Sequence, residues 1–213
     1  MERRIAAELA ACEGCVGRCG KESNRYFQPY VQDGRLMLRE CNRGNAFVGY
    51  ERTKDNAIAI EIAKWYVKTR PARSIYLYGG VGTGKTRLAK IIAGHFSDVE
   101  FHDATNLLGE IKRNFASGTS RDVITRFSQC TLLVIDDIGA EQQSEWSAAV
   151  MYEIINNRYE NGRRMILTSN YDLDGLEARL SLGNDLTAKR IVSRLREICA
   201  QGYLGMVDRR VSG

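Results

Sequence analysis

SIYLYGGVGTGKTRLAKIIA, residues 74–93, is the stretch from which the fold is read. Its first five residues, Ser74 to Tyr78, are apolar and aromatic in the manner of a buried strand. Residues 79–84 are glycine-rich and read as a loop, and 85–96 continues at helical spacing. Within that strand–loop–helix context, Gly79-Gly80-Val81-Gly82-Thr83-Gly84-Lys85-Thr86 fits G-x-x-x-x-G-K-[ST]. Glycines let a backbone wrap a phosphate so that successive N–H groups point inward, at a helix N-terminus that already favours anions. Lys85 then adds charge at the β- and γ-phosphates, and the Thr86 hydroxyl suits Mg²⁺; Arg87 follows in the first helical turn. A chance glycine-rich turn would not carry a strand before it and a helix behind it.

A second apolar strand over 131–135 delivers the other half of such a site, Asp136-Asp137. Asp136, at the carboxyl end of the strand, is placed to hold Mg²⁺ directly or through water, and Asp137 to polarise an attacking water. Many ATPases carry Glu at the second position, and Glu141 is the alternative base here. A third strand over 164–168 ends in Ser169-Asn170, whose amide is suited to orienting a lytic water, although Ser-Asn after a strand is also ordinary turn chemistry. The two halves together imply a site for the phosphates and magnesium of ATP.

Around these three strands the pattern alternates. Helical periodicity spans 53–69, stopped by Pro71, then 105–115, 120–129, 144–159, 173–180 and 185–199. Strands are expected at 99–102 and, last, at 203–207. Strands alternating with helices imply an α/β fold with a parallel five-stranded sheet covered on both faces. The 213 residues suffice for one such domain plus a small appendage. A net charge of +5 is a mild basic bias, as compatible with solvated faces as with an anionic partner. No apolar run approaches a membrane span, and Glu2, Arg3, Arg4 and Glu8 interrupt any signal-peptide core. A cytoplasmic protein is expected.

The appendage is the N-terminus. Cys12-x2-Cys15-x3-Cys19 and Cys41 supply four thiolates, the number a tetrahedral structural zinc requires, and an iron–sulfur cluster would accept the same set. A reducing compartment disfavours disulfides. Between Cys19 and Cys41 two strand-like runs flank Asp33-Gly34, a hairpin signal. The expected division is a cysteine-ligated metal module at 1–44 and an ATPase domain at 45–213. Cys130 and Cys199 sit among apolar neighbours as core residues, His95 and His102 lack ligand spacing, and Trp65 and Trp146 read as core or interface.

YLYGGVGTGKTRLA, LLVIDDIGAEQQSEW, INNRYENGRRMILTSN and RIVSRLREIC occur in that order, and together they resemble the AAA+ helicase loaders of the DnaC/DnaI type, related to the IstB-type transposition helpers. CEGCVGRCG…RYFQPY…LREC is similar to the zinc module of DnaI-like loaders, which favours zinc over iron–sulfur. The resemblance implies an AAA+ (ASCE) P-loop domain with its lid reduced or absent, binding ATP or ADP. It makes Asn170 the sensor of the γ-phosphate. Arg194 becomes an arginine finger acting on a neighbour's ATP in a head-to-tail assembly, with Arg190 one turn earlier the other candidate. Arg210 matches a second sensor or an exposed tail residue. Implied partners are a replicative DnaB-type helicase and single-stranded DNA, the latter beside Lys112, Arg113, Arg121 and Arg126, with no membrane. The other functions open to this sequence are a transposition helper, a small-molecule P-loop kinase and a non-hydrolysing nucleotide-binding adaptor.

Overall fold

The computed structural model describes residues 26–32, 35–41, 50, 52–181 and 185–208. In chain order the elements are β1 (Tyr26–Gln32), β2 (Arg35–Cys41), α1 (Ala57–Thr69), β3 (Ser74–Tyr78), α2 (Lys85–Ala93), β4 (Val99–Asp103), α3 (Ala104–Arg113) and α4 (Ser120–Gln129). They continue with β5 (Leu132–Asp136), α5 (Glu145–Glu160), β6 (Arg164–Ser169), α6 (Leu173–Leu180), α7 (Asp185–Ile198) and β7 (Cys199–Tyr203). The strands form one sheet in the order β1-β2-β4-β5-β6-β3-β7. From β4 to β7 every pairing is parallel, which is the five-stranded sheet the alternating pattern implied.

Strand alternation explains why both sheet faces are covered. Leu132 and Val134 of β5 join Ile75 and Leu77 of β3 in a core beneath α1 and α2. Leu133 and Ile135 point the other way, with Tyr76, Met165 and Leu167, into a second core under α3 to α7. Each such buried aliphatic side chain contributes about 1.5–3 kcal/mol. β5 is therefore anchored firmly enough to hold a carboxylate at its buried end. Within the second core Arg158 is fully buried. Its guanidinium donates to the carbonyls of Phe127 (2.7 Å), Cys130 (3.1 Å) and Arg164, tying the C-terminus of α4 to the start of β6. Cys130 and Cys199 are buried as expected.

One expectation is corrected. The last strand is not 203–207 but Cys199–Tyr203, starting directly after α7. Its register beside β3, Ser74 opposite Cys199 through Tyr78 opposite Tyr203, uses the buried Ala200 and Cys199, the second of which closes the expected helix 185–199. Gly202 packs closely there, since a Cβ would lie 3.0 Å from Ala59 Cβ and from Leu77 Cδ2. The hairpin also meets the edge of the ATPase sheet. It forms as expected, with Gln32 opposite Arg35, but β2 also pairs antiparallel with β4, Arg35 opposite Glu100. An edge strand presents unpaired N–H and C=O groups, and β2 takes them up. Cys12, Cys15, Cys19 and Arg210 lie outside the described residues, and Cys41 closes β2.

Candidate phosphate and cation site

The strand order builds the site. β5, β6 and β3 are consecutive neighbours, so their carboxyl ends present Asp136, Asn170 and Gly79 side by side. Ligands of open α/β sheets bind at this end. From β3 the chain enters the glycine loop, where Gly82 and Gly84 take φ values of 73° and 95° that an L side chain resists. Gly84 is the N-cap of α2, whose first turn holds Lys85, Thr86 and Arg87. Thr83 folds its hydroxyl back onto the Gly80 carbonyl at 2.9 Å, closing the loop.

Lys85 is 7% exposed, and its ammonium donates to Gly79 O (2.9 Å), Gly80 O (2.7 Å) and Asn170 Oδ1 (2.8 Å). Asn170 in turn donates from Nδ2 to Asp137 Oδ1 at 3.1 Å. One amide thus connects the phosphate loop to the second acid, both partners 33 or more residues away in sequence. Asp137 has a left-handed backbone, φ 58°, a conformation Asp tolerates better than most residues. Its N–H donates to Thr168 Oγ1 at 2.8 Å, which fixes the turn after β5.

Asp136 is almost fully buried. It accepts from Thr86 Oγ1 (3.1 Å) and from Thr168 Oγ1 (2.5 Å). Burial pushes its carboxyl above the ordinary range, and the hydrogen bonds from Thr168 and Thr86 only partly offset that. A buried, desolvated carboxylate next to a hydroxyl is a hard-oxygen donor set, which fits Mg²⁺. Thr168 is the member of this set that sequence reading missed. A threonine on an apolar strand carries no signal until the neighbouring strand is known.

Three further groups border the loop. Tyr50 donates from its hydroxyl to Gly84 O at 3.2 Å, and the exposed Arg87 guanidinium lies over the Tyr50 ring at 5.8 Å. Past β7, Gly80 N–H donates to Gly205 O at 2.8 Å, and a Cβ on Gly82 would meet the Asp208 carboxylate. Glu141 is buried, accepting from the Gly139 N–H at 2.7 Å and from Gln143 at 3.0 Å. Arg194 lies on α7, where it donates to Asn156 and Tyr152 of α5. Arg190 is exposed.

Residues 50–201 match the family described as IstB-like ATP binding protein. The replicative helicase loader DnaC of Buchnera aphidicola subsp. Schizaphis graminum is 26% identical over 204 residues, spanning 89% of this chain and 80% of that protein. The replicative helicase loader DnaI of Bacillus subtilis is 24% identical over 160 residues, 70% of this chain; the match spans about half, 51%, of that relative's length. A crystal structure of the DnaC helicase loader superposes with a TM-score of 0.62 at 24% identity, covering 75% of this chain and 96% of that one, a likeness of fold.

Proposed function

Because the chain belongs to the family of IstB-like ATP-binding proteins, we propose that it hydrolyses ATP to time the loading of a replicative DnaB-type helicase onto single-stranded DNA in the cytoplasm. The observation that carries ATP chemistry is the Lys85–Asn170–Asp137 chain of hydrogen bonds. Helicase loading is supported by the named loaders that align along most of the chain.

The roles follow from the geometry. N–H groups of residues 81–86, among them Val81, Gly82, Thr83 and Gly84, receive the phosphates, while Gly79 and Gly80 open the loop, the Gly80 N–H being held by the Gly205 carbonyl. Lys85 leaves its neutral carbonyl acceptors for anionic phosphate oxygens, which add charge–charge attraction to the bonds its ammonium makes. Thr86 and Asp136 are the residues that would hold Mg²⁺, which neutralises phosphate charge when bound. Asp137 takes the proton of the attacking water, and Asn170 orients that water while touching Lys85. Asn170 therefore registers whether a γ-phosphate is present. Arg194 approaches from the next protomer, head to tail, and stabilises charge on the transferring phosphoryl group. Arg87 stays at the edge of the site over Tyr50, and Arg210 joins as a second sensor.

For DNA, Lys112 and Arg113 at the exposed end of α3 are the available cations. Arg126 is paired with Glu110 (2.6 Å) and Glu100 (3.3 Å), and Arg121 with Glu153 (2.7 Å), so these two contribute less to DNA binding than their sequence suggested. The thiolates of Cys12, Cys15, Cys19 and Cys41 complete the reading as ligands of a structural zinc. Metal analysis of the purified protein is expected to find one zinc per chain, lost on Cys15→Ser; iron with visible absorption would replace zinc by a cluster.

The deciding experiment is co-purification with DnaB-type helicases, with and without ATP. A complex whose stability depends on nucleotide is expected, along with hydrolysis stimulated by single-stranded DNA. The family match favours one other reading, an IstB-type transposition helper. No helicase complex, with hydrolysis stimulated by duplex DNA instead, would move the assignment there.

A further inference from the structure

Arg194 is held unlike any other arginine on α7. Its Nε donates to Asn156 Oδ1 at 2.6 Å, Nη2 to the Tyr152 hydroxyl at 3.1 Å, and Nη1 to the Arg190 carbonyl at 3.4 Å. The guanidinium also lies over two rings, 5.0 Å from the centroid of Tyr152 and 5.3 Å from that of Tyr159. Tyr159 is itself fixed by donating to Glu197 Oε2 at 2.8 Å. The three acceptors and two rings that Arg194 itself touches are uncharged, and the Glu197 carboxylate joins this network through Tyr159. Among the described residues Arg194 forms no ion pair, whereas Arg196 on the same helix is bridged to Asp174 and Glu177.

That combination is informative. A tie serving only to fasten α7 to α5 gains most from a carboxylate, which would cancel the charge. Here the guanidinium is oriented with no carboxylate in direct contact among the described residues. A guanidinium carries five N–H donors. Three are engaged, leaving one on each terminal nitrogen, the arrangement that binds two oxygens of a phosphate together. Arg190, one turn earlier, has no such cradle and is exposed.

We propose that Asn156 and Tyr152 are positioning residues for Arg194, aiming its guanidinium at a phosphate of the ATP bound by the neighbouring protomer. This rests on the reading of Arg194 as a residue acting in trans. It adds that the orientation is built in before assembly, by the helix that follows Asp136 and Asp137 in the chain. Ordering a long side chain in advance removes part of the entropy cost of contact at the interface.

Subunit mixing tests both levels. Arg194→Ala and Lys85→Ala chains, each inactive alone, regain about a quarter of wild-type hydrolysis when mixed in equal amounts, because that share of head-to-tail sites pairs an intact Lys85 with an intact Arg194. Failure to regain any would overturn the trans reading itself. Given that regain, Asn156→Ala is expected to lower kcat about tenfold to a hundredfold, with KM for ATP and Tm nearly unchanged. Tyr152→Phe, which keeps the ring, acts in the same direction but less. Asn156→Ala chains regain activity with Lys85→Ala chains but not with Arg194→Ala chains. Asn156→Asp keeps the hydrogen bond while cancelling the charge, so its kcat falls as well. The proposal is overturned by an unchanged kcat in Asn156→Ala, by full activity in Asn156→Asp, or by regain between Asn156→Ala and Arg194→Ala.

Discussion

Lys85→Ala is expected to weaken ATP binding and to reduce hydrolysis by about 10³-fold, the upper end of what one preorganised donor supplies in a water-poor site. Lys85 is buried, and it is the cation that reaches Gly79, Gly80 and Asn170 at once. Without it the phosphate loop retains only its backbone N–H groups as donors, and Asn170 loses the contact through which it is proposed to register the γ-phosphate. Lys85→Arg should rescue little, because a planar fork does not fit where a compact ammonium meets three converging acceptors. Titration with a fluorescent ATP analogue and a phosphate-release assay measure the two effects separately. Near-normal binding and turnover in Lys85→Ala would remove this site from the chemistry.

Asp136→Asn should do two opposite things. Hydrolysis should fall about 10²- to 10³-fold, since the residue proposed to hold magnesium loses its charge. The nucleotide-free protein, in contrast, should become more stable at pH 7. Burial raises the Asp136 carboxyl pKa, so in the folded state the ionised form is disfavoured. A folded pKa above the unfolded one gives stability that is full below the unfolded pKa, about 3.9, and lost as pH rises through the raised folded value. At neutral pH the wild type has lost that contribution; the neutral amide never does, and its oxygen still accepts from Thr86 and Thr168. A gain on the order of 1 kcal/mol corresponds to about 2–4 °C in Tm for a domain of this size. The gap should close below about pH 4, where both side chains are neutral. Thermal melts of the two proteins across pH, with and without Mg-ATP, check the prediction. A variant less stable than wild type at pH 7 would show that Asp136 is not the strained carboxylate its burial indicates.

The two predictions differ in how legible their residues were. Lys85 was readable because everything that makes it functional is consecutive: a strand, glycines able to take positive φ, and a helix whose first turn carries it. Asp136 was readable as a polar end to an apolar strand. Its stability cost was not, because that comes from burial in the assembled core, which hydrogen bonds from Thr168 and Thr86, 32 and 50 residues away, only partly offset. Asn170 was flagged by weak turn chemistry. It acquires a role because β6 lies between β3 and β5, an order that local periodicity does not encode. The last strand was misplaced for a related reason, since Cys199 continues the helical pattern and only pairing with β3 makes it the start of a strand.

The amino-acid sequence by itself determined the chemistry of the phosphate loop, the acidic strand end and the α/β alternation, since each depends on residues within one or two turns of the chain. Tertiary structure alone decided how those pieces meet: Asn170 bridging Lys85 and Asp137, the hairpin added to the β4 edge, and Arg194 held by Asn156 and Tyr152 while Arg190 is exposed. These contacts join residues dozens of positions apart, and their partners are chosen by strand order and helix packing. Those are properties of the whole core, which no local pattern of side chains specifies.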